Sequence, residues 1–412
     1  MAAGPGLVIV GSGPAGTAAA KAFRELDRET PVTLISREPY ACYSRPRLPE
    51  VVAGMVQGPD ICLYPENWYR EQRITLQLRQ TVVALNPAEK NLKLDTGSDL
   101  AYERLILATG AQASLPPIAG LPTPKAFVLR TLDDALALRQ QALGQRSALL
   151  IGGGLLGLEA GYALTRLGLK VTVIEVEPRL LPRQVDEEGS ALLLKKLLPL
   201  GFEFHLGARV RGVESDAGGV RLELDSGLKL LADLALVSAG ILPNVEIARA
   251  AGLRLGKRGV EVDDHLAASL PDIWAAGDLA EWRGGVAGLW NVAQAMGNVA
   301  GRNAAGRGEA YPGVVLATKL KVAGIDLWSQ GDIRPEGATL LSHSDPAAGW
   351  LMKLFVREER LAGSLQIGRT TNVNALRRLI ERRVKITGFE ENLFQEGFDF
   401  TRLPGYQDPA VK

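Results

Sequence analysis

Two glycine loops carry the groups most suited to chemistry. They are Gly11-Ser12-Gly13-Pro14-Ala15-Gly16 and Gly152-Gly153-Gly154-Leu155-Leu156-Gly157. Each follows an apolar run, Leu7-Val8-Ile9-Val10 or Ala148-Leu149-Leu150-Ile151, and each opens an Ala/Leu-rich stretch. In the order strand, GxGxxG, helix, the first glycine allows the tight turn and the second lets backbone approach a pyrophosphate. The third packs helix on strand. The phosphates then meet free N–H groups at a helix N-terminus. The plainer reading of either loop is a bare turn. Two loops in the same context point instead to two dinucleotides on one chain, and passing a hydride between them is the chemistry that needs both.

An acidic ribose ligand is expected about 20 residues beyond such a loop. After the first loop that place holds Ser36, Arg37 and Glu38, so Glu38 is the candidate; a solvated loop charge is the alternative. After the second, Val171-Thr172-Val173-Ile174 ends at Glu175, with no Arg immediately following. A carboxylate there accepts ribose hydroxyls and repels a 2′-phosphate, which favours NADH over NADPH. The plainer reading of Glu175 is a surface charge at a strand end.

The elements that must position these residues follow from the pattern. Residues 8–10 and 32–35 read as strands flanking a helix at about 13–26. Residues 39–67 read as a loop and a short helix, and 74–110 as a small antiparallel meander with turns at Asn86-Pro87 and Asp95-Thr96-Gly97. The layout of 1–110 repeats over 148–240, which implies two similar domains. The expected fold class is α/β, with two Rossmann-like domains and a smaller C-terminal α/β domain. The expected segments are 1–116 and 241–312 for the first dinucleotide domain, 117–240 for the second, and 313–412 for the third; residues 397–412 carry few signals.

With 412 residues, 46% hydrophobic and 23% charged, the chain reads as an ordinary globular protein of two or three domains. Its net charge of +1 argues against nucleic acid as the main partner. No apolar stretch approaches the ~18 residues of a membrane helix, and the first apolar run reads as a strand rather than a signal peptide. The two cysteines, Cys42 and Cys62, form no CxxC or CxxxxC pair, so no zinc or iron–sulfur site is expected and a reducing cytoplasm is the default. His205, His265 and His343 are scattered, and no acid/base role is assigned to them.

Two further motifs complete a set: Ala108-Thr109-Gly110, and Asp272-Ile273-Trp274-Ala275-Ala276-Gly277-Asp278. With both loops, they make residues 1 to about 340 resemble the FAD-dependent pyridine-nucleotide oxidoreductases of glutathione reductase-like fold. The resemblance implies FAD on the first loop and NADH on the second. It implies that Asp278 binds the FAD ribityl chain, that Glu159 hydrogen-bonds the nicotinamide amide from the first turn of the NAD helix, and that the helix starting at Trp290 points its N-terminus at the flavin. The plainer reading of Glu159 is a helix-start carboxylate favoured by the dipole. Ala293, Gly297 and Gly301 also allow close helix packing.

The run Tyr43-Ser44-Arg45-Pro46-Arg47-Leu48, followed by Glu50, resembles the rubredoxin and ferredoxin reductase branch, as do Lys321-Val322-Ala323-Gly324-Ile325 and Gly331-Asp332-Ile333. Arg45 and Glu50 are then expected near the flavin; otherwise they are loop ion-pair charges. The branch implies a small iron protein, rubredoxin or ferredoxin, as acceptor. A second reading is an NADH oxidase, peroxidase or CoA-disulfide reductase using Cys42. A third is an NADH-responsive binding module or the reductase subunit of a larger complex. The oligomer is expected to be a monomer or homodimer. The basic run 377–385 reads as a solvated helix face or as a docking patch for an acidic electron carrier.

Overall fold

The computed structural model describes residues 5–322 and 324–406; Ala323, within one of the branch motifs, and the last six residues of the tail lie outside it. The chain forms two compact units. One comprises Met1–Leu48, Val56–Ser114 and Gly240–Val314; the other comprises Pro49–Met55, Leu115–Ala239 and Val315–Lys412.

In the first unit a parallel sheet runs in the order Ile273–Ala275, Arg104–Leu107, Leu7–Val10, Val32–Ile35, Ile74–Gln77. Leu7–Val10 is buried at every position, as a strand covered on both faces must be. Helices Pro14–Leu26 and Trp290–Ala304 pack together beside it. A Cβ on Gly297 would collide with the carbonyl oxygen of Ala15, and one on Gly301 with that of Ala19, so the helices touch backbone to backbone. The antiparallel meander is only Val82–Asn86, Asn91–Leu94 and Asp99–Ala101. Its expected end strands, Ile74–Gln77 and Arg104–Leu107, instead belong to the parallel sheet, where three consecutive residues of the latter are buried. Two short helices occur where one was expected: Glu66–Glu71 in this unit, and Leu48–Ala53, which from Pro49 on belongs to the other.

The second unit repeats the plan. Its parallel sheet runs Phe202–Leu206, Lys170–Glu175, Ser147–Ile151, Leu234–Val237, Ala126–Phe127, and Val210–Asp216, Gly219–Leu224 and Lys229–Ala232 form its meander. The same unit contains an antiparallel sheet ordered Ala317–Val322, Ile325–Gly331, Arg360–Ile367, Trp350–Arg357, Thr339–Asp345. One core on this sheet joins Leu354 and Leu361 to Leu376 and Leu379 of helix Val373–Arg382, and to Phe400, Leu403 and Tyr406 of the tail. The tail, weak in sequence signals, is an aromatic clamp: Phe394 stacks on His343 at 3.9 Å, and Phe398 meets Phe400 edge-on.

Lys353 of this sheet is buried and held by Asp186 and by Glu188 at 2.7 Å. Burial opposes its charge, but the two carboxylates outweigh that and raise its pKa above the usual lysine value. Asp186 also accepts the Gly189 N–H at 2.9 Å, capping helix Glu187–Leu197. Removing one partner of a buried charge cluster costs about 3–5 kcal/mol, and the partial exposure of Glu188 argues for the lower end. Lys353→Met should therefore lower the thermal midpoint by several degrees, and Lys353→Arg by much less, in a calorimetric melt.

Candidate functional site

The first cradle is shaped by what glycine lacks. Gly11 has φ of 111°, and a Cβ there would strike the Ala108 carbonyl; a Cβ on Gly16 would strike the Gly11 carbonyl. Among the described residues, nothing lies within 4 Å of a Cβ built on Gly13. Two glycines thus close the turn, and the third faces open space. Pro14 opens the helix where no N–H is needed, Gly13 offers no side-chain cap, and no acid occupies the first turn. The helix N-terminus is left to receive an external anion. Thr17 Oγ1 donates to the Ser12 carbonyl at 3.0 Å and pins the loop from behind.

Several distant residues meet here. Gly277 has φ of 77°, and a Cβ on it would lie 2.9 Å from Ala15 Cβ and 3.5 Å from Ala293 Cβ. The first turns of both helices therefore converge on Gly277, which brings Asp278 and the helix opened by Trp290 beside the loop. Arg45 donates to Glu38 Oε1 at 2.7 Å, and the Tyr43 hydroxyl donates to Glu38 Oε2 at 2.5 Å. Each carboxylate oxygen keeps a second acceptor position. Burial disfavours the Arg45 charge, but Glu38, Tyr43 and Asp278 outweigh this and raise its pKa. Arg45 therefore sits, permanently charged, in the field of two carboxylates.

Two contributors escaped sequence reasoning. Asn244 clasps the Ala108-Thr109-Gly110 crossing. Its Nδ2 donates to the Thr109 carbonyl at 2.7 Å, its backbone N–H donates to the Gly110 carbonyl at 3.0 Å, and its carbonyl accepts from Thr109 Oγ1 at 3.0 Å. Glu281 is buried in Ala280–Trp282, just past Asp278, and accepts the backbone N–H groups of Lys257, Arg258 and Gly259 at 3.0, 2.6 and 2.8 Å. Burial alone would raise its pKa, yet these three donors hold it below the usual carboxylate value. Both residues are single polar positions with no local pattern around them.

Cys42 lies against the same loop helix. Burial pushes its thiol up to about 11, despite the neighbouring Thr17 hydroxyl and the charge of Arg45. A thiol nucleophile must ionise, so this environment works against redox chemistry at Cys42. Cys62 is exposed.

The second cradle follows the first. Gly152 has φ of 106°, and its Cβ would strike the Ser238 carbonyl; the Gly157 Cβ would lie 2.6 Å from the Gly152 carbonyl oxygen. Gly154 faces open space among the described residues and provides no side-chain cap for helix Leu155–Arg166. Leu156 is the second residue of that helix. Glu159 is the fifth and is buried, so it stands at the start of the second turn rather than on the first. Glu175 is also buried. Gly153 N–H donates to its Oε2 at 2.7 Å and Glu177 N–H to its Oε1 at 2.9 Å. The carboxylate is locked to the loop with an acceptor position still free on each oxygen. Both cradles fit a dinucleotide: the middle glycines face open space among the described residues, the helix ends are uncapped by side chains, and a carboxylate held by hydrogen bonds follows the second strand of each.

Residues 5–297 match the family model for pyridine nucleotide-disulphide oxidoreductases. The chain belongs to that family. Residues 317–384 match the rubredoxin NAD+ reductase C-terminal domain. The assimilatory nitrate reductase electron transfer subunit of Bacillus subtilis is 33% identical over 90% of this chain, which spans only 48% of that relative's length. The NADH-dependent phenylglyoxylate dehydrogenase subunit epsilon of Aromatoleum evansii is 31% identical over 92% of both chains. The crystal structure of NADH:rubredoxin oxidoreductase from Clostridium acetobutylicum superposes with a TM-score of 0.75 at 29% identity, covering 93% of this chain and 97% of that one. No helix among the described residues is long and apolar enough to cross a membrane.

Two measurements check these environments. With a thiol pKa of about 11, about one Cys42 in a thousand is ionised at pH 8. Iodoacetamide at that pH should label Cys62 and spare Cys42 in the native protein, as read by peptide mass spectrometry; rapid labelling of Cys42 would contradict its burial. Glu175→Arg should raise the affinity for NADPH relative to NADH, and an unchanged preference would remove Glu175 from the ribose site.

Proposed function

We propose that this flavoprotein carries electrons from NADH to a small iron protein of the rubredoxin or ferredoxin type. The observation that carries the reading is the rubredoxin-reductase type of C-terminal domain at 317–384, joined to two dinucleotide cradles and a buried, protonated Cys42. FAD, when bound, would supply the redox chemistry, taking two electrons as a hydride and returning them one at a time with the proton given up to solvent, so the protein supplies binding, orientation and electrostatics. The backbone N–H groups of Gly13, Ala15 and Gly16 at the helix start would hold the flavin pyrophosphate, Glu38 its adenosine ribose, and Asp278 its ribityl chain, with Thr109 and Gly110 alongside. Arg45 contributes a fixed positive charge. The helix from Trp290 would direct its positive end at the flavin, where its dipole would favour negative charge on the reduced form. The loop from Gly152 to Gly157 holds the NADH pyrophosphate, Glu175 accepts from its ribose, and Glu159 orients the nicotinamide amide. Neither cysteine is needed.

A second reading is favoured by the relatives named as subunits. The similarity to subunit epsilon runs over nearly the full length of both chains, which supports a role as one subunit of a larger redox enzyme. The basic run is largely tied up within its own domain: Arg377 pairs with Glu381 at 3.5 Å, Lys385 with Glu359 at 2.7 Å, and Arg378 donates to the Tyr406 hydroxyl at 2.9 Å. These partners support a structural role for the run over a docking patch.

Reduced by NADH without oxygen and mixed with oxidised rubredoxin, the protein should bleach the rubredoxin chromophore catalytically, equally well as Cys42→Ser. Fast flavin reduction with no bleaching would reject rubredoxin and favour the subunit reading. Arg377→Gln combined with Arg383→Gln should leave that rate and its salt dependence within about twofold, as expected for surface pairs of small energy. A weakened salt dependence would restore the docking patch.

A further inference from the structure

Residues 176–186 join the strand that ends at Glu175 to helix Glu187–Leu197 and form no helix or strand of their own. The near end of this segment belongs to the second cradle. Glu177 N–H donates to Glu175 Oε1 at 2.9 Å, and a Cβ on Gly153 would lie 2.8 Å from Leu180 Cδ2 and 3.3 Å from Glu175 Oε2. Leu180 therefore packs on the glycine loop beside the carboxylate. Leu180, Leu181 and Val185 are fully buried, and Leu181 adopts φ of 47°, a left-handed conformation costly for a residue with a side chain. Such a conformation persists only where the surroundings hold it.

The hold on the far end comes from another part of the chain. The Leu181 carbonyl accepts the N–H groups of Gln184 and Val185 at 2.9 and 3.0 Å, which closes a turn. Arg334, just past strand Ile325–Gly331, donates through Nη2 to the carbonyls of Pro182 and Val185, the latter at 3.1 Å. Its own N–H donates to Asp332 Oδ1 at 2.9 Å, which fixes its backbone. The next residue of the segment, Asp186, holds Lys353. Both cations lie within residues 317–384, outside the nucleotide fold. One short segment thus has the ribose acid at its start and two cations of the C-terminal domain at its end. Hydrogen bonds from a charged donor are the stronger kind, and Arg334 spends two on this turn.

We propose that Arg334 is a positioning residue for the nicotinamide dinucleotide. By holding the 181–185 turn it keeps Leu180 against Gly153 and so fixes the Glu175 carboxylate that the ribose meets. The C-terminal domain thereby sets the affinity for NADH from a distance. The inference rests on the placement of NADH at Glu175 given under the proposed function.

The test uses the full-length flavoprotein. Calorimetric titration with NAD+ reads affinity without turnover, and stopped-flow mixing with NADH reads the concentration for half-maximal flavin reduction and the limiting rate. Arg334→Gln should weaken NAD+ binding and raise the half-maximal NADH concentration by about fivefold each, the size of a lost hydrogen bond. The limiting rate should stay within about twofold, because the arginine touches no reacting atom. Arg334→Lys keeps a cationic donor and should recover most of the loss. Unchanged NAD+ affinity in the glutamine variant, with or without a lower melting midpoint, would overturn the proposal and leave Arg334 a purely structural tie. Hydrogen exchange on the unmodified protein needs no variant to fold. NAD+ should slow amide exchange at 183–185, at the Arg334 end of the segment, and unchanged exchange there would also overturn the proposal. Glu175→Ala separates the premise from the inference. If it leaves NAD+ binding untouched, the ribose placement fails; if it weakens NAD+ while Arg334→Gln does not, only the role of Arg334 fails.

Discussion

The contact on which the first cradle depends is made without side chains. Helices Pro14–Leu26 and Trp290–Ala304 meet where Gly297 and Gly301 lie against the carbonyls of Ala15 and Ala19, and any larger residue at those two positions would force the helices apart. Gly277 occupies the remaining gap between Ala15 and Ala293. Dispersion across such a dense contact is individually small and collectively firm. It brings two positive helix ends to one place. Asp278 follows Gly277 directly, so its position is set by the same contact.

The two cradles solve one steric problem alike and one electrostatic problem differently. In both, the first and last glycines are excluded from bearing a side chain by a neighbouring carbonyl, while the middle one faces outward. The acids differ. Glu175 is held by backbone N–H groups of its own loop and of Glu177, so its orientation is part of the loop's fold. Glu38 is held by the side chains of Tyr43 and Arg45. The second acid is as rigid as its backbone, whereas the first responds to whatever moves the 43–45 segment.

Much of this was legible in the sequence because glycine and continuous apolar runs have few structural interpretations. Both loops, their strands and helices, the internal repeat, and the convergence of residues near 11–16, 277–278 and 290 follow from spacing and family resemblance. The edges of the meander did not, because apolar content alone cannot tell a sheet-centre strand such as Arg104–Leu107 from a hairpin strand. Asn244 was invisible because its partner Thr109 lies 135 residues away and one asparagine makes no pattern. Glu281 carried no sequence signal, because its three backbone donors lie 22 to 24 residues away. The chemistry of Cys42 depends on burial, which position in the chain does not reveal.

The aromatic tail bears on where this molecule can be divided. The similarity to a known C-terminal domain stops at residue 384, yet Leu393, Phe400, Leu403 and Tyr406 complete the core begun by Leu354, Leu376 and Leu379. A cut at the boundary drawn by resemblance would strip one side from that core and bare an apolar face of the kind that drives association. For anyone excising or grafting this module, the workable edge lies beyond Tyr406.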